Sequence, residues 1–337
     1  MSDTRPNTPS VAERTRTVAT GGPVFAIHFL GDRAAFILAE KAAMLVAPDG
    51  GLPQRIGLHD GGILSSAGDG TRIVTGGDDG KVMEIGKAGV PREAFADPKK
   101  KWIDQVALGP DGAIAWSAGK LVQVTTKKGE ARQLELPSSA GGLAFAPKGF
   151  RLAIAHYNGA SLWFPNAQAK PEALEWKGSH LGVTVSPDGR FVVTTMQEPM
   201  LHGWRVVDSK HMRMSGYASR VRSFGWTADG AFLATGGSDQ LILWPFSGKD
   251  GPMGKQPTLL APHGHKLGIV ACHPKQPVVA AGYEDGLVLL VRLDDGAEVL
   301  VHPPELQTPV TALAWSPDGT QLAFACEERI AGVVDLT

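Results

Sequence analysis

Two stretches decide how this chain is built: Ala314-Trp315-Ser316-Pro317-Asp318-Gly319 and Thr184-Val185-Ser186-Pro187-Asp188-Gly189. In each, a short apolar run meets a four-residue turn, and a second apolar run follows. The turn residues have separate physical roles. Pro sets φ at the first central position, Asp bonds its own local backbone, and Gly accepts the left-handed conformation. Looser copies are Ala107-Leu108-Gly109-Pro110-Asp111-Gly112, Ala144-Phe145-Ala146-Pro147-Lys148-Gly149 and Gly225-Trp226-Thr227-Ala228-Asp229-Gly230. Eroded copies stand at Phe29-Leu30-Gly31-Asp32, Ser66-Ala67-Gly68-Asp69-Gly70 and Cys272-His273-Pro274-Lys275.

One marker per turn falls at positions 32, 69, 111, 148, 188, 229, 275 and 318, a mean step of about 41 residues. The flanking runs are short and rich in Val, Leu, Ile and Phe, which makes them strands. In the sixth repeat the expected strands are Val221 to Trp226, Ala231 to Thr235, Leu241 to Trp244 and Thr258 to Leu260. A lone four-stranded sheet cannot bury both faces, whereas a closed ring of them buries each face against the next. The pattern predicts an all-β, closed β-propeller of four-stranded antiparallel blades. Eight blades are expected; seven is the alternative if the weak first repeat, Val24 to Val46, is miscounted. Residues 1–13, polar and with two prolines, are expected to be a flexible tail, and 14–337 a single domain. The last repeat lacks a fourth strand, and Arg14 to Thr20 is expected to supply it by pairing with Ile330 to Asp335.

The 41-residue period, the Ser-Pro-Asp-Gly turn and the Gly236-Gly237-Ser238-Asp239 turn before Leu243-Trp244 together resemble the WD40-repeat proteins, over roughly Arg14 to the C-terminus. That resemblance implies a hydrogen-bond network of His, Ser or Thr, Asp and Trp within each well-kept repeat. The sixth repeat matches at Thr235, Asp239 and Trp244, with Tyr217 at the histidine position. The seventh matches at His263 and Asp285, and the second at Thr75 and Asp79, with Met83 in place of Trp. The repeats are therefore degenerate.

Composition narrows the function. The chain has 33 basic and 34 acidic side chains, so no overall field favours nucleic acid. Lys99-Lys100-Lys101 before Trp102 is the one basic triplet, and Asp97 and Asp104 dilute it. Cys272 and Cys326 are too few for a disulfide framework and read as two buried thiols in a reducing, cytoplasmic setting. No apolar run is long enough for membrane insertion. His263, His265 and His273 are split between the two ends of one strand, about 20 Å apart, which argues against a shared metal. Gly76-Gly77-Asp78-Asp79-Gly80 lacks the ligand spacing of a calcium loop. No nucleophile elbow, zinc-hydrolase motif or phosphate loop is present, and neither a catalytic residue nor a cofactor is expected.

One face of the ring collects the loops that enter each first strand and those between second and third strands. Tyr157, Tyr217 and Tyr283 fall there, with Trp102, His156, Met196, Arg220, Lys266 and Glu284 on or beside it. Aromatic and Arg side chains are the usual anchors of protein interfaces. The expectation is a non-catalytic scaffold that binds an unidentified protein or peptide through Trp102, Tyr157, Arg220 and Tyr283. A propeller enzyme, hydrolase or lyase, with its site at the channel mouth is the alternative.

Overall fold

The computed structural model describes residues 8–126, 129–305 and 308–337. Its turns follow the chemistry of their residues. At Asp318 the carboxylate accepts from Ser316 Oγ (2.6 Å) and from the Thr320 amide (3.0 Å), and Gly319 takes φ +82°. The same arrangement recurs at Asp188, with Ser186 and Gly189 (φ +80°), and at Asp229, with Thr227 and Gly230 (φ +69°). Each hydroxyl also accepts the amide two residues past its Gly, at Phe191, Phe232 and Gln321, so that the hairpin register is set by the turn.

These hairpins build an all-β structure of antiparallel sheets. The sixth repeat forms one four-stranded sheet from Phe224–Trp226, Phe232–Thr235, Leu241–Pro245 and Thr258–Leu260. Its first strand starts three residues later than the pattern predicts. Ser223 explains this: its hydroxyl donates to Val270 O of the next repeat and accepts the Val270 amide. The weak first repeat is folded as well, with strands Val24–Leu30, Arg33–Leu38 and Glu40–Val46. A long strand, Gln54–Gly68, completes that sheet with its first half and opens the second repeat's sheet with its second half. Glu172–Val185 bridges the fourth and fifth repeats in the same way.

Second strands are buried on both sides, as Phe191–Met196 is along its whole length, because a sheet lies against each face. Fourth strands, such as Pro91–Ala96, form the exposed outer edge. Hydrophobic clusters span successive sheets. One of them joins the two ends of the chain, with Val18, Val24 and Phe36 packed on Ala323 and Val333.

The expected closure is present. Thr15–Thr17 pairs antiparallel with Ala331–Asp335, in the register Thr15↔Val334 and Thr17↔Gly332. Part of the expected flexible tail is nevertheless tied down. The Leu300 amide donates to Pro9 O and the Val11 amide to Leu300 O, both at 2.8 Å, so this segment caps the open edge of the seventh sheet. Residues 1–7 of that tail lie outside the described residues.

Candidate partner-binding face

The networks expected inside the repeats are present with substitutions. In the sixth repeat Trp244 Nε1 donates to Tyr217 Oη (2.7 Å), which is 2.8 Å from Thr235 Oγ1. Thr235 in turn donates to Ile242 O (3.1 Å), so Tyr217 supplies the proton between the two hydroxyls. A phenol has one hydrogen and cannot reach a further acid as a second imidazole nitrogen would. Asp239 is accordingly outside the network: it is exposed and accepts from Ser238 Oγ (3.0 Å). Burial pushes the Tyr217 hydroxyl pKa up to about 12. Tyr217→Phe should leave the Trp244 N–H without an acceptor and cost about 1–3 kcal/mol, read from the urea midpoint. An unchanged midpoint would remove this network from the stability of the fold.

His263 bonds Asp285 at 2.8 Å in the seventh repeat. In the second repeat His59 bridges Thr75 (2.8 Å) and Asp79 (2.9 Å), a more complete network than the sequence reading recognised. Asp79 is thus occupied, and its carboxyl lies below the usual range despite burial, mainly because of the His59 hydrogen bond. The fifth repeat holds another unrecognised set: His180 at 2.7 Å from Thr194, beside the fully buried Trp204. The signal was in the sequence, since His180, Thr194 and Trp204 keep the order of Tyr217, Thr235 and Trp244, though with a first step of 14 residues against 18.

The loop-rich face sorts its predicted residues by accessibility. Trp102 is 62 % exposed and Tyr157 58 %. Asp97 accepts the amides of Lys99 and Lys101 and shapes the turn that carries Trp102. Tyr157 is carried on a hairpin bend where Asn158 takes φ +66°, and its amide donates to Ser138 Oγ (2.9 Å). Beneath Trp102 lies a cleft of about 640 Å³, and beside Tyr157 one of about 480 Å³. Both share Glu135 as a wall, so the two aromatic rings flank adjoining clefts. Arg220 is half-buried further in, with Nη1 donating to Gln197 Oε1 (2.9 Å), at the mouth of an axial cleft.

Tyr283 is a correction. Expected as a contact, it is 0 % exposed, packs edge-on against His263 (4.8 Å between centroids) and donates its hydroxyl to Ala261 O. Its loop is on the predicted face, but that carbonyl draws the ring inward. Tyr217 and Met196 are buried too, His156 is held by Tyr157 O and Ser161 Oγ, and Lys266 pairs with Glu284. Cys272 and Cys326 are free thiols, both raised to about 12 by burial. Among the described residues no group of three or more His, Cys, Asp or Glu side chains is placed to hold a metal ion, and no helix is long and apolar enough to cross a membrane.

Four-stranded sheets packed face to face, joined end to end by a terminal strand and surrounding an axial cleft, define a β-propeller. Two segments of the chain match models of known repeats: residues 209–244 match the WD domain, G-beta repeat, and residues 270–337 the anaphase-promoting complex subunit 4 WD40 domain. Both matches are to WD40-type repeats and support an assignment to the WD40 propellers, with degenerate repeats. It is 26 % identical over 222 residues to Protein HIR1 of Phaeosphaeria nodorum (strain SN15), an alignment covering 53 % of this chain and 20 % of that protein. It therefore spans about a fifth of the curated relative it matches. The crystal structure of the computationally designed Ika8 protein superimposes with a TM-score of 0.76 at 16 % identity, covering 93 % of this chain and 96 % of that one.

Proposed function

We propose that this protein is a non-catalytic scaffold that holds another protein or peptide on its loop-rich face, with Trp102 and Tyr157 as the apolar anchors. The carrying observation is that these two large aromatic side chains stand more than half exposed beside adjoining clefts. Exposed rings of this kind supply much contact area at little entropic cost, and such residues dominate interface energies. A rigid ring suits this task because the sheets fix the loops while the loops set shape and charge. We read the ring as one domain of eight blades from residue 14 onward, since the strand pairings fall into eight groups, one for each marker turn. Two free thiols, one buried and one half-buried, fit a reducing, cytoplasmic setting.

The test is affinity capture from a reducing extract with wild type and a Trp102→Ala, Tyr157→Ala double variant. Both residues are exposed, so the variant should keep its circular dichroism and melting midpoint. A partner retained by wild type and weakened at least tenfold in the variant is the expected result. Equal retention by both would remove these anchors, and turnover of a small molecule with no partner captured would overturn the scaffold reading.

A further inference from the structure

The ring axis opens into a cleft of about 780 Å³ walled by the first strands of the second to sixth repeats. Only three of its lining residues are charged: Asp69, Arg220 and Arg222. Asp69 lies at the far end of its strand from the loop-rich face. Its carboxylate is already occupied by the amides of Thr71 and Arg72, the Thr71 hydroxyl and Arg72 Nε. The two arginines stand at the opposite end, about 20 Å away for a six-residue strand. Arg220, Val221 and Arg222 all line the cleft at that end.

Neither arginine has an ion pair among the described residues. Arg220 is oriented by the Gln197 amide oxygen, an uncharged partner. Arg222 is exposed and has no ion pair or hydrogen-bonded side-chain partner among the described residues. Glu198, beside Gln197, pairs with neither of them. Several other arginines of this protein are matched to carboxylates, as Arg205 is to Asp208 and Asp250, and Arg292 to Asp295. Phe145 and Phe224 line the same cleft, and apolar walls strengthen a charge interaction made between them.

We infer that the axial cleft is an oxyanion site in which Arg220 and Arg222 bind a carboxylate or phosphate carried by the ligand. Guanidinium forks match both groups through paired N–H···O bonds, and two forks in one segment hold a single anion from two sides. The inference rests on the scaffold reading to the extent that a bound peptide is the expected carrier of the anion.

The test uses the whole protein and isothermal titration with hexaglutamate, hexaglutamine and inorganic pyrophosphate. Hexaglutamate should bind, hexaglutamine should not, and Arg222→Gln should weaken binding at least tenfold. Arg222→Lys should fall between, because it keeps the charge and loses the fork. Displacement of hexaglutamate by pyrophosphate supports one shared oxyanion site, and binding of pyrophosphate alone assigns the site to free phosphate. Failure of both anions to bind, or binding unchanged in Arg222→Gln, overturns the inference. Partner capture separates this from the scaffold reading: failure of both anions to bind a protein whose partner is still lost on Trp102→Ala, Tyr157→Ala substitution overturns the oxyanion site alone.

Discussion

Trp204→Ala should destabilise the protein by about 3–5 kcal/mol, the range for truncating a fully buried indole. Trp204 is 1 % exposed and lies where the fourth and fifth repeats pack together, among Ala153, Ala155, Leu174 and Val192. The small alanines opposite leave room for the large ring, so neighbours cannot close the void when it is removed. For a chain of this length the melting midpoint should fall by roughly 4–7 °C. Trp204→Phe, which keeps part of the ring volume, should lose less than half as much. Differential scanning calorimetry decides it, and a fall below 2 °C in Trp204→Ala would mean that the two sheets re-pack without the indole.

Acidification should weaken the fold through His202. Its imidazole is fully buried, with neither ring nitrogen hydrogen-bonded, and it packs in a ring cluster with Trp176 (4.1 Å), Trp204 (4.8 Å) and His211 (5.3 Å). Burial, with further repulsion from His180, His211 and Arg213, pushes its pKa from 6.5 down to about 3. The unfolded chain therefore takes up a proton below pH 6.5 that the folded state refuses. Stability is full above that pH and declines as pH falls toward 3, with His202 alone costing about 1–2 kcal/mol by pH 5 after screening. His28, lowered to about 4 by burial, adds to the same slope. His202→Phe keeps the stack and removes the titration, so its midpoint should change less between pH 7 and pH 5 than that of wild type. Parallel pH profiles for the two proteins would exclude His202 as a source of the slope.

The face proposed for binding shows how local and distant information divide. Its location was legible because the turns are local: Ser316, Asp318 and Gly319 close their hairpin within six residues, whatever surrounds it. Which aromatic residues emerge from that face was not legible. Tyr157 and Tyr283 occupy comparable loops, yet one is exposed and the other meets the Ala261 carbonyl, 22 residues back in the chain. Asp239 left its expected network for a related reason, since one tyrosine hydrogen replaces two imidazole nitrogens.

The period of the turns, the strand runs between them and the lone extended segment Arg14 to Thr20 determined, by themselves, an all-β ring closed by its own terminus. These features depend on backbone conformation and on the burial of alternating or continuous apolar runs, which neighbouring residues specify. Only the tertiary structure decided the occupancy of individual side chains. Arg72 and Asp69 satisfy each other at one end of the axial cleft, while Arg220 and Arg222 at the other have no carboxylate partner among the described residues. His202 lies buried against Trp176 of the preceding repeat. Hydrogen bonding and charge pairing act over a few ångströms in space between residues far apart in sequence, so no pattern along the chain specifies which partners meet.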